Sequence, residues 1–257
     1  AVLDAINEAY GIRNSTALEK SAIITSSPKP TSTPNPTPYV ATNEAAASQE
    51  KAANSAVLSP SPSEPLLHPV SAEEQVEAAI RKAINKPEGS LNDVFLLQLK
   101  SLQVNGQDQQ SVGNLSLLTH CTNLTSLELT NLSLIDPSFL LALENLKSLN
   151  LSNNVISDVK PISLLSNLET LDVSNNRISR IDNLSKLAVL KTLHLNDNQI
   201  SDIRMISNMS NLQVLSLQNN EISDISPLFE MVGLKELNLL GNPISQTDLE
   251  ILRSALP

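Results

Sequence analysis

The sequence predicts an α/β repeat solenoid, a horseshoe with a parallel β-sheet on its concave face, short 3₁₀ or turn segments on its back, and a helical cap at each end. Three observations predict it. Leucines recur at a fixed 22-residue step, in several registers that stay in phase from about residue 124 to residue 244. An asparagine recurs in the same frame. The chain is 40% hydrophobic but only 2% aromatic, with no tryptophan, so its core must be aliphatic side chains stacked in regular layers.

The segments before the repeats read as follows. Residues 1–22 place Val2, Leu3, Ile6 and Tyr10 at near-helical spacing, interrupted by Gly11; they form a short segment, helical at most, with no assigned role. Residues 23–70 hold nine of the 15 prolines, set among Ser, Thr, Ala and Asn. Proline removes backbone donors and favours extended chain, and too little apolar surface is present to offset the entropy of ordering. This stretch reads as a disordered linker, either a semi-extended stalk or a plain tail. Order begins at Ser71. Ser71 to Glu74 fits a capping box, Val76, Ala79, Ile80 and Ile84 follow at helical spacing, and Pro87 to Gly89 is expected to end the helix near Asn85. Residues 71–98 thus form an N-terminal cap, which a solenoid needs because its first repeat otherwise exposes an apolar edge.

The array itself spans residues 99–257. Leu124, Leu146, Leu168, Leu190, Leu212 and Leu234 start the six full repeats; Leu127 and its equivalents come three residues later, and Leu129 and its equivalents two further on. Ile156, Ile178, Ile200, Ile222 and Ile244 continue the frame. Leu99, Leu102 and Val104 make a partial repeat before these, with an insertion around Gly106 to Asn114. Asp248, Leu249, Leu252 and Leu256 read as a closing helix. Each unit contributes a strand of about five residues, and seven strands at ~4.8 Å give a sheet roughly 30 Å across. Pro161 and Pro227 are expected to start tight turns or 3₁₀ pieces on the back. The asparagines Asn154, Asn176, Asn198, Asn220 and Asn242 point inward, where an amide that donates and accepts satisfies the turn out of each strand. Leu132 stands at this place in the first full repeat, which predicts a less regular turn there.

Strand alternation defines the candidate binding face. Its outward positions run from Ser126, Glu128 and Thr130, through Ser148, Asn150 and Ser152, to Glu236, Asn238 and Leu240. The central row is Glu128, Asn150, Asp172, His194, Ser216 and Asn238. None of the outward positions is Lys, Arg or aromatic, whereas strong interface anchors favour Trp, Tyr and Arg. The row Asp172, His194 and Ser216 carries the residue types of a hydrolytic triad, but side chains standing side by side on open strands have neither pocket nor oxyanion donors. It reads as a solvated polar face.

Other chemistries are not supported. A net charge of −10 argues against nucleic acid and against anionic membrane surfaces. No apolar run reaches the ~18 residues of a membrane span; the chain starts at Ala1, and a signal or anchor is not readable in it. Cys121 is the one cysteine and stands where other repeats carry Leu143, Leu165 and Leu187, so it reads as a small buried hydrophobe. Asp158, Asp202 and Asp224 recur in frame, but Arg180 and Gln246 break the ladder and no single loop gathers oxygen ligands; a solvated rim is expected, with no metal. No phosphate loop, dinucleotide fingerprint or zinc-protease motif occurs, so no cofactor is expected.

The stretches NLKSLNLSNNVISDV and NLQVLSLQNNEISDI resemble the leucine-rich-repeat family. Their length and the N-x-I-S-D-I-x-x-L pattern look most like the internalin group of bacterial surface proteins; repeats of this length also occur in subunits that regulate protein phosphatases. The resemblance covers about residues 71–257. It implies non-enzymatic protein recognition by an exported or surface-attached bacterial module, monomeric, with an unidentified protein partner. The alternatives are a cytoplasmic scaffold or phosphatase-regulator-like subunit, and a structural spacer in a larger chain.

Overall fold

The computed structural model describes residues 71–106 and 115–255. The segment 1–22, the linker 23–70, most of the insertion before Asn114 and Leu256 lie outside the described residues.

Helix α1 (Ala72–Ala83) opens on the expected capping box: the Glu74 N–H donates to Ser71 Oγ at 3.2 Å and the Ser71 N–H to Glu74 Oε2 at 2.8 Å. It ends at Ala83 with Ile84 as its C-cap, close to the expected Asn85. Asn85 takes a left-handed φ of 53°, its N–H donates to Lys82 O and the next N–H, of Lys86, reaches back to Arg81 O at 2.9 Å. Those two bonds satisfy the last carbonyls of the helix, a role asparagine fills because it tolerates that conformation. Val76 and Ile80 bury against the first repeat. A single turn, α2 (Asp93–Leu96), follows.

Seven parallel strands then stack in chain order: β1 (Ser101–Asn105), β2 (Ser126–Thr130), β3 (Ser148–Asn150), β4 (Thr170–Asp172), β5 (Thr192–His194), β6 (Val214–Ser216) and β7 (Glu236–Asn238). The second residue of each, from Leu102 to Leu237, is a leucine that faces the core. Only β1 and β2 reach the expected five residues. In β3, β4 and β7 the third residue is Asn150, Asp172 or Asn238, and its side-chain oxygen accepts the N–H two residues on, at 2.9, 2.9 and 3.1 Å. That local bond competes with the ladder and turns the chain. Glu128 makes no such bond and β2 runs on, whereas β5 and β6, with His194 and Ser216 at that place, stop at three residues without one.

The back of each repeat carries a 3₁₀ segment, six in all among the described residues. Pro161 precedes one and Pro227 sits inside another, as expected. Helix α3 (Gln246–Ala255) closes the array with Leu249 and Leu252 buried. The aliphatic core is continuous from α1 to α3.

The buried asparagines work across repeats. Asn176 donates to Val173 O and Ser174 O of its own turn and to Leu151 O of the turn before, while its Oδ1 accepts the Ile156 N–H at 2.9 Å. Asn198, Asn220 and Asn242 repeat the arrangement. At the irregular first repeat Asn154 Oδ1 accepts two N–H groups, of Leu132 and Leu134, and Ser133 joins Asn131 in the left-handed region. Leu132 therefore buries its side chain and borrows its turn's polar partner from the next repeat.

Candidate functional site

The six candidate residues come together as one in-register row. Glu128 pairs with Asn150, Asn150 with Asp172, Asp172 with His194, His194 with Ser216, and Ser216 with Asn238. All six are half-buried. The row begins one strand earlier than the sequence reading placed it: Gln103 pairs with Glu128 and is exposed. Gln103 lies between Leu102 and Val104 of the partial repeat, whose outward residue the sequence reading did not add to the row.

Two of the outward positions are not surface. Thr130 is 6% and Ser152 9% exposed, whereas Ser174, Asn196 and Gln218 in the same register are half-buried. The Thr130 hydroxyl donates to Asn105 Oδ1 at 3.2 Å. The face is thus narrower than alternation alone predicts: two rows of side chains rather than three at its N-terminal repeats.

Beside it runs a row that sequence reading missed. Asn131, Asn153, Asn175, Asp197 and Asn219 all hold φ between 52° and 58°, and Gly241 continues the register at 79°. These residues link sideways: Asn131 to Asn105 at 2.6 Å, Asn175 to Asn153 at 2.6 Å, Asn219 to Asp197 at 2.7 Å. The signal was present as the Asn or Asp just ahead of each inward position, the first asparagine of a pair at Asn153, Asn175 and Asn219, since both residues tolerate the left-handed region.

The acids on the opposite side serve the fold. Asp136, Asp158, Asp202 and Asp224 each accept the backbone N–H two residues on, at 2.8–3.0 Å, which starts the following turn. Arg204 binds back to Asp202, and its guanidinium and backbone N–H hold that carboxyl down to about 2. Among the described residues no group of three His, Cys, Asp or Glu is placed to hold a metal. Cys121 is fully buried, and burial pushes its thiol up to about 11. Asp172, His194 and Ser216 stand on three successive strands of an open face. No described helix is long and apolar enough to cross a membrane.

The comparisons with known proteins agree with this geometry. The family profile "Leucine Rich repeats (2 copies)" matches residues 144–186, 166–208 and 210–254. Internalin C2 of Listeria monocytogenes is 27% identical, with a TM-score of 0.60, over 76% of this chain and 97% of its own. A second Listeria monocytogenes internalin, inlF, is 24% identical with a TM-score of 0.60 and shares the fold; the match covers 75% of this chain and 65% of that one, just under two thirds of its length. A leucine-rich-repeat protein of Leptospira interrogans is 26% identical with a TM-score of 0.55, over 63% of this chain and 48% of its own. No curated protein matches the chain by sequence.

Proposed function

We propose that this chain, a leucine-rich-repeat protein of internalin-like architecture, is a non-enzymatic protein-recognition module displayed outside a bacterial cell, and that its partner contacts the row from Gln103 to Asn238. The observation that carries the reading is the row itself. Its backbone is fixed by parallel pairing on both sides, so binding costs little ordering entropy. Its side chains change from strand to strand between amide, carboxylate, imidazole and hydroxyl, which gives a partner a specific pattern to match. The proline-rich composition of residues 23–70 supports a stalk holding such a module away from a cell surface. The likeness to internalins supports a surface or secreted setting.

Two experiments test this. Protease shaving of intact source cells, with mass spectrometry of the released peptides, is expected to release peptides of residues 23–257; cleavage only after lysis would sink the surface reading. Replacing Glu128, Asp172 and His194 together by alanine is expected to abolish binding to the surface proteins the native chain captures, with an unchanged melting temperature. Binding that survives the triple change moves the site off this row.

A further inference from the structure

A second row crosses the sheet at the other end of the strands. The residues just before them are Lys100, Thr125, Lys147, Glu169, Lys191, Gln213 and Lys235. Residues 99–257 contain six lysines, the other two being Lys160 and Lys186; four of the six stand in this one row, on alternate strands, in a chain of net charge −10. Their backbones are already locked together: the Glu169 N–H donates to Lys147 O, Lys191 to Glu169, Gln213 to Lys191 and Lys235 to Gln213, at 2.8–2.9 Å. Lys191 Nζ reaches Glu169 at 2.6 Å and Lys235 Nζ reaches Gln213 at 2.8 Å.

The row borders an open cavity of about 440 Å³, lined by Lys147, Glu169, Val189, Lys191 and Gln213 with Asn167 and Asn211. The cavity lies where a surface ladder breaks. Asn123, Asn145, Asn167 and Asn211 each donate to a carbonyl of the preceding repeat, at 2.8–3.0 Å. Val189 stands in the same register, 22 residues after Asn167 and 22 before Asn211. It has no amide to offer the Ser166 carbonyl, and its own side chain is 42% exposed.

We propose that this edge, from Lys147 to Lys235, docks an extended acidic peptide segment of a protein partner, with an apolar side chain of that segment against Val189. The spacing fits. Lysines on alternate strands lie ~9.5 Å apart at the parallel-sheet strand separation, and a peptide extended as polyproline II presents the same face every three residues, ~9.3 Å on, so a carboxylate at every third residue meets successive lysines. The mix of groups favours a peptide over a uniform polyanion: Glu169 interrupts the cations and would repel a continuous run of sulfate or phosphate, whereas a peptide N–H suits the Ser166 carbonyl and an aliphatic side chain suits Val189. This edge lies apart from the Gln103–Asn238 row, so either site stands or falls without the other.

The test is fluorescence anisotropy on the full chain with a fluorescein-labelled (Asp-Ala-Leu)₃ peptide in 50 mM salt, with (Lys-Ala-Leu)₃ as comparison. Saturable binding of the acidic peptide alone is expected. Lys147→Glu, Lys191→Glu and Lys235→Glu together are expected to weaken it tenfold or more, while Lys160→Glu, Lys186→Glu and Arg177→Glu, the same charge change elsewhere, leave it within twofold. Val189→Asn, which restores the ladder and narrows the cavity, is expected to weaken binding about fivefold without lowering the melting temperature. No saturable binding, equal loss from the two charge triples, an indifferent Val189→Asn variant, or binding of heparin in place of the peptide overturns the proposal.

Discussion

Alanine at Asn154 destabilises the array more than alanine at Asn176, although both asparagines are buried, in the same register and of the same size. The difference follows from what each leaves behind. Without the Asn176 amide, Leu151 O keeps the donor Asn154, Val173 O keeps Asn198, and Ser174 O keeps the Asn153 N–H. One buried group, the Ile156 N–H, loses its partner. Without the Asn154 amide, the N–H groups of Leu132 and Leu134 both lose theirs, and Leu132 in the preceding repeat has no side chain to replace it. An unsatisfied buried backbone group costs about 1–3 kcal/mol. At about 2 kcal/mol each, Asn176→Ala loses about 2 kcal/mol and Asn154→Ala about 4 from these groups; the volume removed is equal and cancels in the comparison. Urea unfolding followed by far-ultraviolet circular dichroism measures the gap, and amide exchange at Leu132 and Leu134 locates it, since repeat arrays open locally. Asn154→Asp serves as a control: it keeps the acceptor but turns a carboxylate toward Leu129 O and Leu151 O, and is expected to be no better than alanine. An Asn176→Ala variant as unstable as Asn154→Ala would refute the reasoning.

Three further outcomes are expected. Gly106→Ala destabilises by about 1–3 kcal/mol, in the range of overpacked sites, because an added Cβ would lie 2.1 Å from Asn131 O; a melting temperature equal to that of the native chain contradicts this. Cys121 in the folded chain resists a thiol reagent at pH 8 and reacts only on denaturation, since the thiol is buried and titrates at about 11; stoichiometric labelling of native protein would show the site to be open. Asp202 titrates by carboxyl NMR at about 2, held down first by the Arg204 side chain and then by its backbone N–H, and Arg204→Ala raises that midpoint. Because the folded value lies below the ordinary 3.8, the stability it contributes is present above pH ~4 and lost as pH falls toward 2; solvent screening keeps that contribution small, and an unmoved midpoint in the variant assigns the shift elsewhere.

Most of the fold was legible because each structural task recurs with the same residue. The strand leucines, the inward asparagines and the capping box at Ser71 carry one meaning in every context, and the structure places them accordingly. The misreadings came where a local side-chain bond overrides the average. In β3, β4 and β7 the Asn or Asp at the third residue bonds the chain locally where the strand ends; β5 and β6 are as short with His194 and Ser216 there. Thr130 and Ser152 alternate outward yet are buried, a tertiary fact that no alternation pattern contains. The candidate row was found by register alone, and Gln103, on the strand of the partial repeat, was left out of it.

Position and chemistry separate in this chain in a way that bears on where function lies. A register that must solve a folding problem is chemically uniform: leucine or valine inward, asparagine at the turn, and aspartate ahead of most of the 3₁₀ segments from Asp136 to Asp224. A register free of such a duty is free to vary. Two vary strongly across the seven strands. The central outward row runs Gln103, Glu128, Asn150, Asp172, His194, Ser216, Asn238, and the edge row alternates lysine with threonine, glutamate and glutamine. Variation on a rigid, evenly spaced backbone costs the fold little, because these side chains are at most half-buried and the ladder beneath them is held by main-chain bonds. Both rows therefore present a pattern that packing does not dictate; the asparagine ladder, whose register runs two residues before the edge row, breaks at Val189 and at Gly233, and Val189 lines the cavity beside that row. That coincidence of a missing structural residue, an exposed apolar side chain and a cationic edge is what separates the second row from an ordinary solvated rim.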